Sequence, residues 1–265
     1  MVKEEAKSLV ESKKFLHEIF EHAAVGVSIV NLEGKWLQVN KKLCKIVGYS
    51  KKELLSTGYM KLTHPEDIKK TKEFVKKFSS GKIKYGYLEK RYIHKKKQVV
   101  WVFLSVSLVK DSSGKPSYFI VITRDITQRK KAEEELKESE EKYIALFNNA
   151  VDAIFIADPI TRQIIECNKK AEKLIGYSRN KLLSMRADDL HPKDIRKEAM
   201  TGFKKQLEGK SNLEVTEILS KDNKRIPVAI SASSININGK EYIQGIFRDI
   251  TQRKKAEEEL KESEE

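Results

Sequence analysis

The sequence has little of what several classes of protein need. Among its 265 residues are two cysteines, Cys44 and Cys167, which lie in different halves and predict neither a disulfide framework nor a cysteine-rich metal site. The longest apolar run, Val99–Val109, contains two serines and is far shorter than the roughly 20 residues of a membrane span. The first ten residues carry lysines and glutamates where a signal peptide has an apolar core. We therefore expect a cytoplasmic protein without a membrane span.

Motifs of catalysis are also missing. The sequence contains no glycine-rich phosphate loop, no histidine-phosphorylation segment, no nucleophile elbow and no cluster of metal ligands. Acidic runs such as Glu133–Glu135 lie on a predicted helix surface, where basic residues four positions away pair with them. We predict that this chain is not an enzyme and has neither catalytic nor metal-binding residues.

Acidic residues are scarce in the first half of the chain. The net charge is +14, and residues 1–126 hold 26 lysines and arginines against 13 acidic residues, whereas residues 127–265 hold 27 against 26. The lysines of the first half are scattered, without interleaved aromatic residues or a nucleic-acid motif. A solvated surface is the favoured interpretation, an anion-binding face is the alternative, and no nucleic-acid partner is expected.

What the sequence does contain is an internal repeat. The segment RDITQRKKAEEELKESEE occurs at Arg124–Glu141 and again at Arg248–Glu265. The spacing of 124 residues (248 − 124) is that of one ordinary domain. Each copy is therefore expected to close one domain and to lead out of it through a helix.

The first copy opens a predicted coiled-coil helix. Its a/d seam recurs at steps of four and three, through Ala132, Leu136, Ser139, Tyr143, Leu146 and Ala150. The opening helix, about Glu4–His22, has a similar seam. Because alanine and serine occupy part of the linker seam, it suits a joint that shifts better than a permanent zipper. Packing of the helix onto its own domain is the alternative.

Both halves have the same order of predicted elements: two strands, several helices and three strands. In the first half the last three strands are Tyr85–His94, Gln98–Lys110 and Pro116–Asp125, and in the second half they start at Asn212. This order predicts an α+β unit in each half. We divide the chain into an N-terminal amphipathic helix (1–22), a first domain (23–126), a linker helix (127–149), a second domain (150–250) and the start of an outgoing helix (251–265).

An ordered set of short motifs occurs in both halves. The first half has Asn40, Gly48-Tyr49-Ser50, Glu53-Leu54-Leu55, His64-Pro65-x-Asp67, Trp101-Val102 and Arg124-Asp125-Ile126-Thr127. The second has Asn168, Gly176-Tyr177-Ser178, Leu182-Leu183, His191-Pro192-x-Asp194 and Arg248-Asp249-Ile250-Thr251. Through these motifs the sequence resembles the PAS sensor family over nearly its whole length, as tandem PAS (PAS/PAC, S-box) domains of a bacterial or archaeal signalling protein.

The resemblance implies a fold and a signal path. Each domain is expected to be a five-stranded antiparallel sheet with short helices on one face, cupping a small cavity, and an amphipathic coiled-coil-like helix is expected to join the two. The Asp-Ile-Thr ending resembles the family's junction between the last strand and the signalling helix. We therefore expect these residues to relay the signal: Asp125, Thr127, Asp249, Thr251, Leu136 and Tyr143.

The resemblance also bears on cofactors. Members that form a cysteinyl-flavin adduct place the cysteine a few residues after the Gly-Tyr-Ser and Leu-Leu segment, where this sequence has Ser56–Met60 and Ser184–Ala187. Haem-binding members that resemble oxygen sensors use a histidine on the long helix, and neither predicted long helix contains one. These residues argue against haem and against the flavin adduct. A non-covalent flavin, another small organic ligand and an empty cavity stay open.

Polar positions on the last two strands of each half are the candidates for lining a ligand cavity. They are Ser105, Ser107 and Thr123 in the first half, and Ser231, Ser233 and Gln244 in the second. Trp101 and Phe103 are the neighbours in the first half, and the smaller Ala229 and Ala232 in the second. We predict that the second cavity is the roomier, the more polar and the better ligand candidate.

The expected function is that of a sensory and dimerisation input module, as in two-component systems. It would relay a ligand or partner signal through coiled-coil helices to an output domain absent from this chain. The alternatives are a regulatory fragment of a sensor histidine kinase or cyclic-dinucleotide enzyme, and a free-standing PAS adaptor that binds a protein partner. We expect a parallel homodimer through the opening helix and the linker helix. Because the second repeat stops before the seam positions that correspond to Tyr143 and Leu146, we also expect the chain to be a truncation.

Overall fold

The computed structural model describes residues 2–80, 83–207 and 213–264. Contacts divide the chain into two compact units, Met1–Leu136 and Lys137–Glu265, whose boundary falls within a long helix. Among the helices that the structure describes, none combines the length and apolar composition that crossing a bilayer requires. The predicted strand start at Asn212 lies outside the described residues.

The first unit is an antiparallel sheet with helices packed on one face. Its strands lie in the order β2-β1-β5-β4-β3, and a short 3-10 turn at Pro65–Asp67 precedes its longest sheet-packed helix. The elements are α1 (Val2–His22), β1 (Gly26–Asn31), β2 (Trp36–Val39), α2 (Lys41–Val47), α3 (Lys51–Leu55), α4 (Tyr59–Leu62), α5 (Ile68–Ser79), β3 (Tyr85–Ile93), β4 (Val99–Lys110) and β5 (Pro116–Asp125).

The second unit repeats this arrangement with strand order β7-β6-β10-β9-β8. Two five-stranded antiparallel sheets with helices confirm the predicted α+β fold. The linker helix ends at Asn148, so that the last predicted seam residue, Ala150, lies beyond it. The elements are α6 (Thr127–Asn148), β6 (Ala153–Ala157), β7 (Ile164–Cys167), α7 (Lys169–Ile175), α8 (Arg179–Leu183), α9 (Arg196–Leu207), β8 (Glu214–Leu219), β9 (Arg225–Ile237), β10 (Lys240–Asp249) and α10 (Thr251–Glu264).

A fully buried asparagine ties the incoming helix of each unit to its sheet. Asn40 Oδ1 accepts hydrogen bonds from the backbone N–H groups of Val27 and Leu43, at 3.0 and 2.9 Å. Its Nδ2 donates to the carbonyls of Phe20 in α1 and of Val25, at 2.9 and 3.0 Å. Both acceptor positions of Oδ1 and both N–H groups of Nδ2 are thus hydrogen-bonded to backbone groups. This explains why a polar side chain is stable in this core.

Asn168 has the same role in the second unit. Its Oδ1 accepts from Ile154 N and Ala171 N, at 3.0 and 2.9 Å. Its Nδ2 donates to the carbonyls of Phe147 in α6 and of Asp152, both at 3.0 Å. The first residue of the repeated motif set is therefore the connector between an incoming helix, the first strand and the following short helix.

The repeated Gly-Tyr-Ser segment is a junction between two short helices. Gly48 ends α2 with a φ of +77°, and Gly176 ends α7 with a φ of +85°, a left-handed conformation that glycine adopts readily. Ser50 begins α3 with a capping box, because its hydroxyl accepts from Glu53 N and the Glu53 carboxylate accepts from Ser50 N. The motif thus encodes one helix end and one helix start.

The two faces of each sheet differ because side chains alternate along a strand. In β4 the even-numbered residues from Val100 to Val106 are buried in a core that includes Leu43 and Leu54. The odd-numbered residues from Trp101 to Ser107 lie on the opposite face. The buried face of each sheet and its covering helices enclose the space in which a ligand could lie.

Candidate ligand cavity and helix junction

The first unit contains a cavity of about 40 Å³ between the buried face of its sheet and helices α4 and α5. Its wall consists of aliphatic and phenylalanine side chains except at four positions, which are Tyr59, Thr71, Lys90 and Tyr92. Thr71 uses its hydroxyl within α5, where it donates to the Asp67 carbonyl at 2.7 Å. The chemistry that the cavity can offer therefore rests on Lys90 and the two tyrosines.

Lys90 is a charged side chain buried in this cavity, with 1% of its surface exposed. Its Nζ donates to Thr63 Oγ1 at 2.9 Å and lies 4.8 and 4.7 Å from the ring centroids of Tyr59 and Tyr92. The Thr63 hydroxyl in turn donates to the Tyr59 carbonyl at 2.9 Å. Two aromatic faces and one hydroxyl oxygen thus surround the ammonium group, and the aromatic faces attract it.

Burial sets the protonation of this site. Burial lowers the pKa of Lys90 from its ordinary value of 10.5 to about 7, and the charge of Asp67 opposes that shift only in part. Burial also raises the pKa of Tyr92 and of Tyr59, so both phenols keep their protons. The first cavity therefore holds an amine that gains or loses its charge near neutral pH.

Glu89 precedes Lys90 in β3 and lies on the opposite face of the sheet. Its carboxylate pairs with Arg129 Nη2 and with Lys130 Nζ, the latter at 2.9 Å. The Lys130 and Arg129 hydrogen bonds lower the pKa of Glu89, so it is charged at neutral pH. Since both basic residues belong to the first turn of α6, one side chain of β3 holds the start of the outgoing helix.

Trp101 is the second anchor of α6. Its backbone N–H donates to Thr127 Oγ1 at 3.0 Å, and its carbonyl accepts from Ile126 N at 2.9 Å. The Lys130 ammonium lies 5.5 Å from the centroid of its indole ring. Thr127 N also donates to Asp125 Oδ1 at 2.9 Å, which places two of the six predicted relay residues in this junction.

Arg91, the next residue of β3, ties this strand to the turn before α5. Its Nε donates to Asp67 Oδ2 at 3.0 Å and its Nη2 to Asp67 Oδ1 at 2.9 Å, while its backbone N–H donates to Oδ2 at 2.7 Å. The hydrogen bond from Arg91 lowers the pKa of Asp67. Residues 89–91 of β3 thus contact the outgoing helix, the cavity and the α5 turn in succession.

The second unit has a cavity of about 50 Å³ in the corresponding place. Its wall includes Asp158, Arg162, Asp188, His191, Glu214 and Thr216. His191 is buried, its Nδ1 lies 2.9 Å from the Glu217 carbonyl, and burial lowers its pKa. The two cavity volumes differ by no more than the volume that one water molecule occupies, so the cavities cannot be distinguished by size. The second wall does carry more charged groups.

Strand pairing identifies the equivalent positions of the two units. Ile126 N donates to the Trp101 carbonyl, and Ile250 N donates to the Pro227 carbonyl at 3.1 Å. Trp101 pairs across the sheet with Arg91, and Pro227 with Glu217. Counting back along β3 and β8 matches Glu89 with Val215, Lys90 with Thr216 and Arg91 with Glu217.

The six polar residues predicted to line the cavities lie elsewhere, and for five of them strand register is the reason. Ser105 and Ser107 alternate with the buried residues of β4 and so lie on its outer face, as Ser231 and Ser233 do in β9 and Gln244 in β10. Thr123 is buried on the inner side and pairs with Leu104, but it is not part of the cavity wall. None of the six lines either cavity described above.

Sequence reasoning missed Lys90, Tyr59, Tyr92 and Glu89. A signal for one of them was available, since Lys90 shares its strand parity with the apolar Leu88 and the aromatic Tyr92. A lysine in register with buried neighbours is a candidate for an inward-facing charge. The inference needed the register of β3, which the scattered lysines of this half obscured.

Within the described residues, neither cysteine lines one of the two cavities, and no cluster of metal ligands is present. Burial raises the pKa of both cysteine thiols, that of Cys167 to about 11, so they stay protonated. Within the part of the chain that the structure describes, no three histidine, cysteine or acidic side chains come together as metal ligands would.

Known protein families match both halves of the chain. The family described as PAS fold matches residues 37–123, and the family described as PAS domain matches residues 151–252. The chain belongs to the PAS family. The predicted recognition as tandem PAS sensor domains is therefore confirmed, and the cavity and junction described above belong to the first of two PAS domains.

Three known proteins are similar to this chain over part of their own length. The chain is 40% identical over 146 residues to a probable diguanylate cyclase, DgcE, of Escherichia coli. The matched segment covers 55% of this chain and 13% of that protein. It is 31% identical over 126 residues to a methyl sulfide methyltransferase-associated sensor of Methanosarcina acetivorans, covering 48% and 13%. With sporulation kinase E of Bacillus subtilis it shares 26% identity over 257 residues, covering 96% and 33%.

The chain thus spans a third or less of the length of these relatives. Among solved structures, a PAS domain of an HTR-like protein from Haloarcula marismortui is 21% identical, with a TM-score of 0.41, and covers 47% of this chain and 99% of that one. Tandem PAS sensor domains are what this chain contains, as the sequence predicted.

Proposed function

We propose that this chain is the sensory input part of a signalling protein, and that its first PAS domain transmits changes at its cavity to helix α6 through strand β3. The observation that supports this is that adjacent side chains of β3 point to opposite faces of the sheet. Lys90 points into the cavity, and the adjacent Glu89 holds Arg129 and Lys130 on the other face of the same sheet.

The physical argument concerns a shared backbone. An occupant that contacts Lys90 changes the forces on β3, and a displacement of β3 by a fraction of an ångström alters the contact between Glu89 and the first turn of α6. A ligand shifts such an equilibrium only by its difference in affinity for the two arrangements. Exposed ion pairs are individually weak, so this junction can rearrange at small cost.

The output would be delivered by another domain or by a partner kinase. The named relatives are a probable diguanylate cyclase, a sensor and a sporulation kinase, so we propose that this module regulates a histidine kinase or a cyclic-dinucleotide enzyme and is not itself catalytic. A free-standing adaptor that binds a protein partner is the alternative. A cytoplasmic location is part of the same proposal.

A parallel homodimer is the assembly that we propose. Apolar side chains of α1 and α6 are exposed within their units, among them Leu9, Leu16, Leu136, Tyr143 and Leu146. A coiled-coil partner would remove them from water, which is favourable by about 25 cal/mol per Å² of apolar surface. This arrangement would bring the two copies of each signalling helix together.

A double-mutant cycle tests the relay. Hydrogen exchange of the amides of residues 130–136 is measured in the wild type, in Lys90→Met, in Glu89→Gln and in the double variant. We expect Lys90→Met to change exchange in α6, and we expect that change to be lost in the Glu89→Gln background. The control is Lys72→Met, which removes an equal charge from an exposed position of α5. Unchanged α6 exchange in Lys90→Met would contradict the relay.

Sedimentation of two aspartate variants tests the dimer. We expect Leu136→Asp to weaken self-association, because it would bury an unpaired charge in the seam. Ile144→Asp makes the same chemical change on the same helix away from the seam, at a position of similar exposure. A wild-type monomer at about 100 µM, or equal effects of the two substitutions, would contradict assembly through this seam.

A further inference from the structure

We propose that the cavity of the first PAS domain binds a small aliphatic monocarboxylate whose carboxylate pairs with the Lys90 ammonium. The inference rests on the proposed function, because it names the class of ligand for the domain proposed there as the sensor. It depends on three observations: the unused hydrogen-bonding capacity of Lys90, the apolar wall around it and the size of the cavity.

Lys90 has donors to spare. An ammonium group has three N–H donors, and among the residues that the structure describes one acceptor, Thr63 Oγ1, receives a hydrogen bond from it. The rings of Tyr59 and Tyr92 offer their faces and not a lone pair. The nearby carboxylate of Asp67 is engaged by three hydrogen bonds from Arg91. Two donors of a buried cation therefore remain for a guest in the cavity.

An anion is the guest that this cation favours. A buried charge without an ion-pair partner is costly, and the cost falls when an opposite charge with good hydrogen-bond geometry arrives. A neutral ligand would fill the space but leave the ammonium uncompensated. The first cavity therefore favours a ligand with a negatively charged group at every pH at which Lys90 is protonated.

The rest of the wall defines what is attached to that negative group. Apart from Lys90, Thr71 and the two tyrosines, the cavity is lined by side chains such as Val30, Leu104 and Phe119, which favour an aliphatic part. One cation neutralises one negative charge, so sulfate, or phosphate in its dianionic form, would bring a second, uncompensated charge into an apolar site. A volume of about 40 Å³ holds about three water-sized groups. Acetate, a methyl and a carboxylate group, lies within this limit, and propionate, with one methylene group more, reaches it.

The second PAS domain provides a comparison within the chain. Thr216 stands where Lys90 stands in the first, and the second wall contains acidic side chains such as Asp158 and Asp188. Among the described residues that line the second cavity there is no lysine, and the guanidinium group of Arg162 pairs with Asp188 at 2.8 Å. We therefore expect one binding site per chain, located in the first domain.

Calorimetric titration of the full chain with propionate tests the inference. Propionamide serves as the neutral ligand of the same shape, and sodium chloride keeps the ionic strength constant. We expect propionate to bind at least tenfold more tightly than propionamide at pH 6.5. Because binding requires the charged amine, whose pKa is about 7, affinity should fall by about tenfold for each pH unit above 7. Titrations at pH 8 in buffers of different ionisation enthalpy should show uptake of nearly one proton.

Two variants locate the site. Lys90→Met removes the ammonium group, keeps an unbranched apolar side chain one atom shorter, and should abolish both the preference for propionate and the proton uptake. Lys72→Met removes a charge from the exposed surface of α5 and should leave both unchanged. Equal binding of propionate and propionamide would overturn the inference. So would propionate binding that survives in Lys90→Met, or the absence of any propionate binding at pH 6.5.

The outcomes for ligand and relay are separable. Propionate binding without any change of α6 exchange would leave the ligand class standing and overturn the relay. A relay that responds to Lys90→Met without any binding of propionate would do the reverse.

Discussion

The two signalling helices begin with identical residues, but their contacts with the preceding sheet differ. In the first domain Arg129 and Lys130 pair with Glu89 of β3. In the second, the residue equivalent to Glu89 is Val215. Arg253 pairs with Glu257 of its own helix at 2.8 Å, as Arg129 does with Glu133 at 3.4 Å, so the difference lies in the added pairs with Glu89. Identical helix sequences are thus bonded differently because the strands beneath them carry different side chains.

The threonine of the repeated Asp-Ile-Thr ending shows the same contrast. Thr127 Oγ1 accepts from the backbone N–H of Trp101, whereas Pro227 occupies the equivalent position and has no N–H. The Thr251 hydroxyl instead donates to Asp249 Oδ1 at 2.6 Å. The two junctions share two contacts of backbone N–H groups. The isoleucine N–H donates to the carbonyl of Trp101 or Pro227, and the threonine N–H donates to Oδ1 of the preceding aspartate. The junction thus has a common backbone anchor and a variable side-chain anchor.

The largest expected difference between the domains is their response to pH. Since the pKa of folded Lys90 is about 7 and its ordinary value is 10.5, the unfolded chain binds more protons between these values, and the stability of the first domain rises with pH across this window. Burial of the charged Lys90 side chain lowers the free energy of unfolding of the first domain, and this effect is complete below pH 7. It amounts there to several kcal/mol, at about 1.4 kcal/mol per pKa unit. Lys90→Met should remove it.

The second domain should respond in a different window. Burial lowers the pKa of His191, so its destabilising effect appears only as the pH falls below the ordinary value of 6.5. Denaturant unfolding followed by hydrogen exchange of each domain, from about pH 4.5 to 9, measures both slopes. A slope above pH 7 that persists in Lys90→Met, or that disappears in His191→Gln, would contradict the assignment.

The next effect concerns what the domains share. Asn40→Ala and Asn168→Ala each leave buried backbone groups without partners, and we expect a loss of about 2–4 kcal/mol in the free energy of unfolding in either domain. Urea denaturation with domain-specific exchange measures it. Asn31→Ala, at a turn where the side chain accepts a single exposed hydrogen bond from Lys35 N, is the control and should cost less than about 1 kcal/mol.

A smaller effect should distinguish the two threonines. Thr127→Val removes the acceptor of the Trp101 N–H and should cost about 1 kcal/mol, because a partly buried donor then lacks a partner. Thr251→Val removes only an exposed bond to Asp249 and should cost about half as much or less. Equal losses in chemical denaturation would show that the proline in the second sheet makes no difference to the junction.

The smallest effect is a transfer of the ion pair. Val215→Glu places a carboxylate where Glu89 stands in the first domain, within the second sheet, where Val215 is exposed. We expect it to stabilise the first turn of α10 by a few tenths of a kcal/mol, as exposed pairs do, and to lose this effect at high salt. Val215→Gln is the uncharged control. Equal protection of α10 amides in both variants would show that charge is not the anchor.

Much of the fold was readable from the residues, for local reasons. Gly48 and Gly176 adopt a left-handed conformation that ends a helix, and Ser50 with Glu53 forms a capping box within one short segment. Such signals act over a few residues, so their position in the chain is enough to predict them. The order of these signals in both halves led to the PAS family and to five strands per domain.

The cavity was different, because its lining depends on strand register. A shift of one residue exchanges the two faces of a strand, and the predicted serines of β4 and β9 fall on the outer face for that reason. Register in β3 likewise places Lys90 inside and Glu89 outside, although the two are adjacent and both charged.

The amino-acid order was thus sufficient for the two domains, their helix ends and the repeated exit segment, since these depend on contacts between near neighbours in the chain. The buried lysine, its tyrosine partners and the different anchoring of two identical helices depend on residues far apart in sequence. Thr63 lies 27 residues from Lys90, and Glu89 lies 40 residues from Arg129. Only the paired strands bring these groups together, and that pairing decides which charge meets the cavity and which one holds the helix.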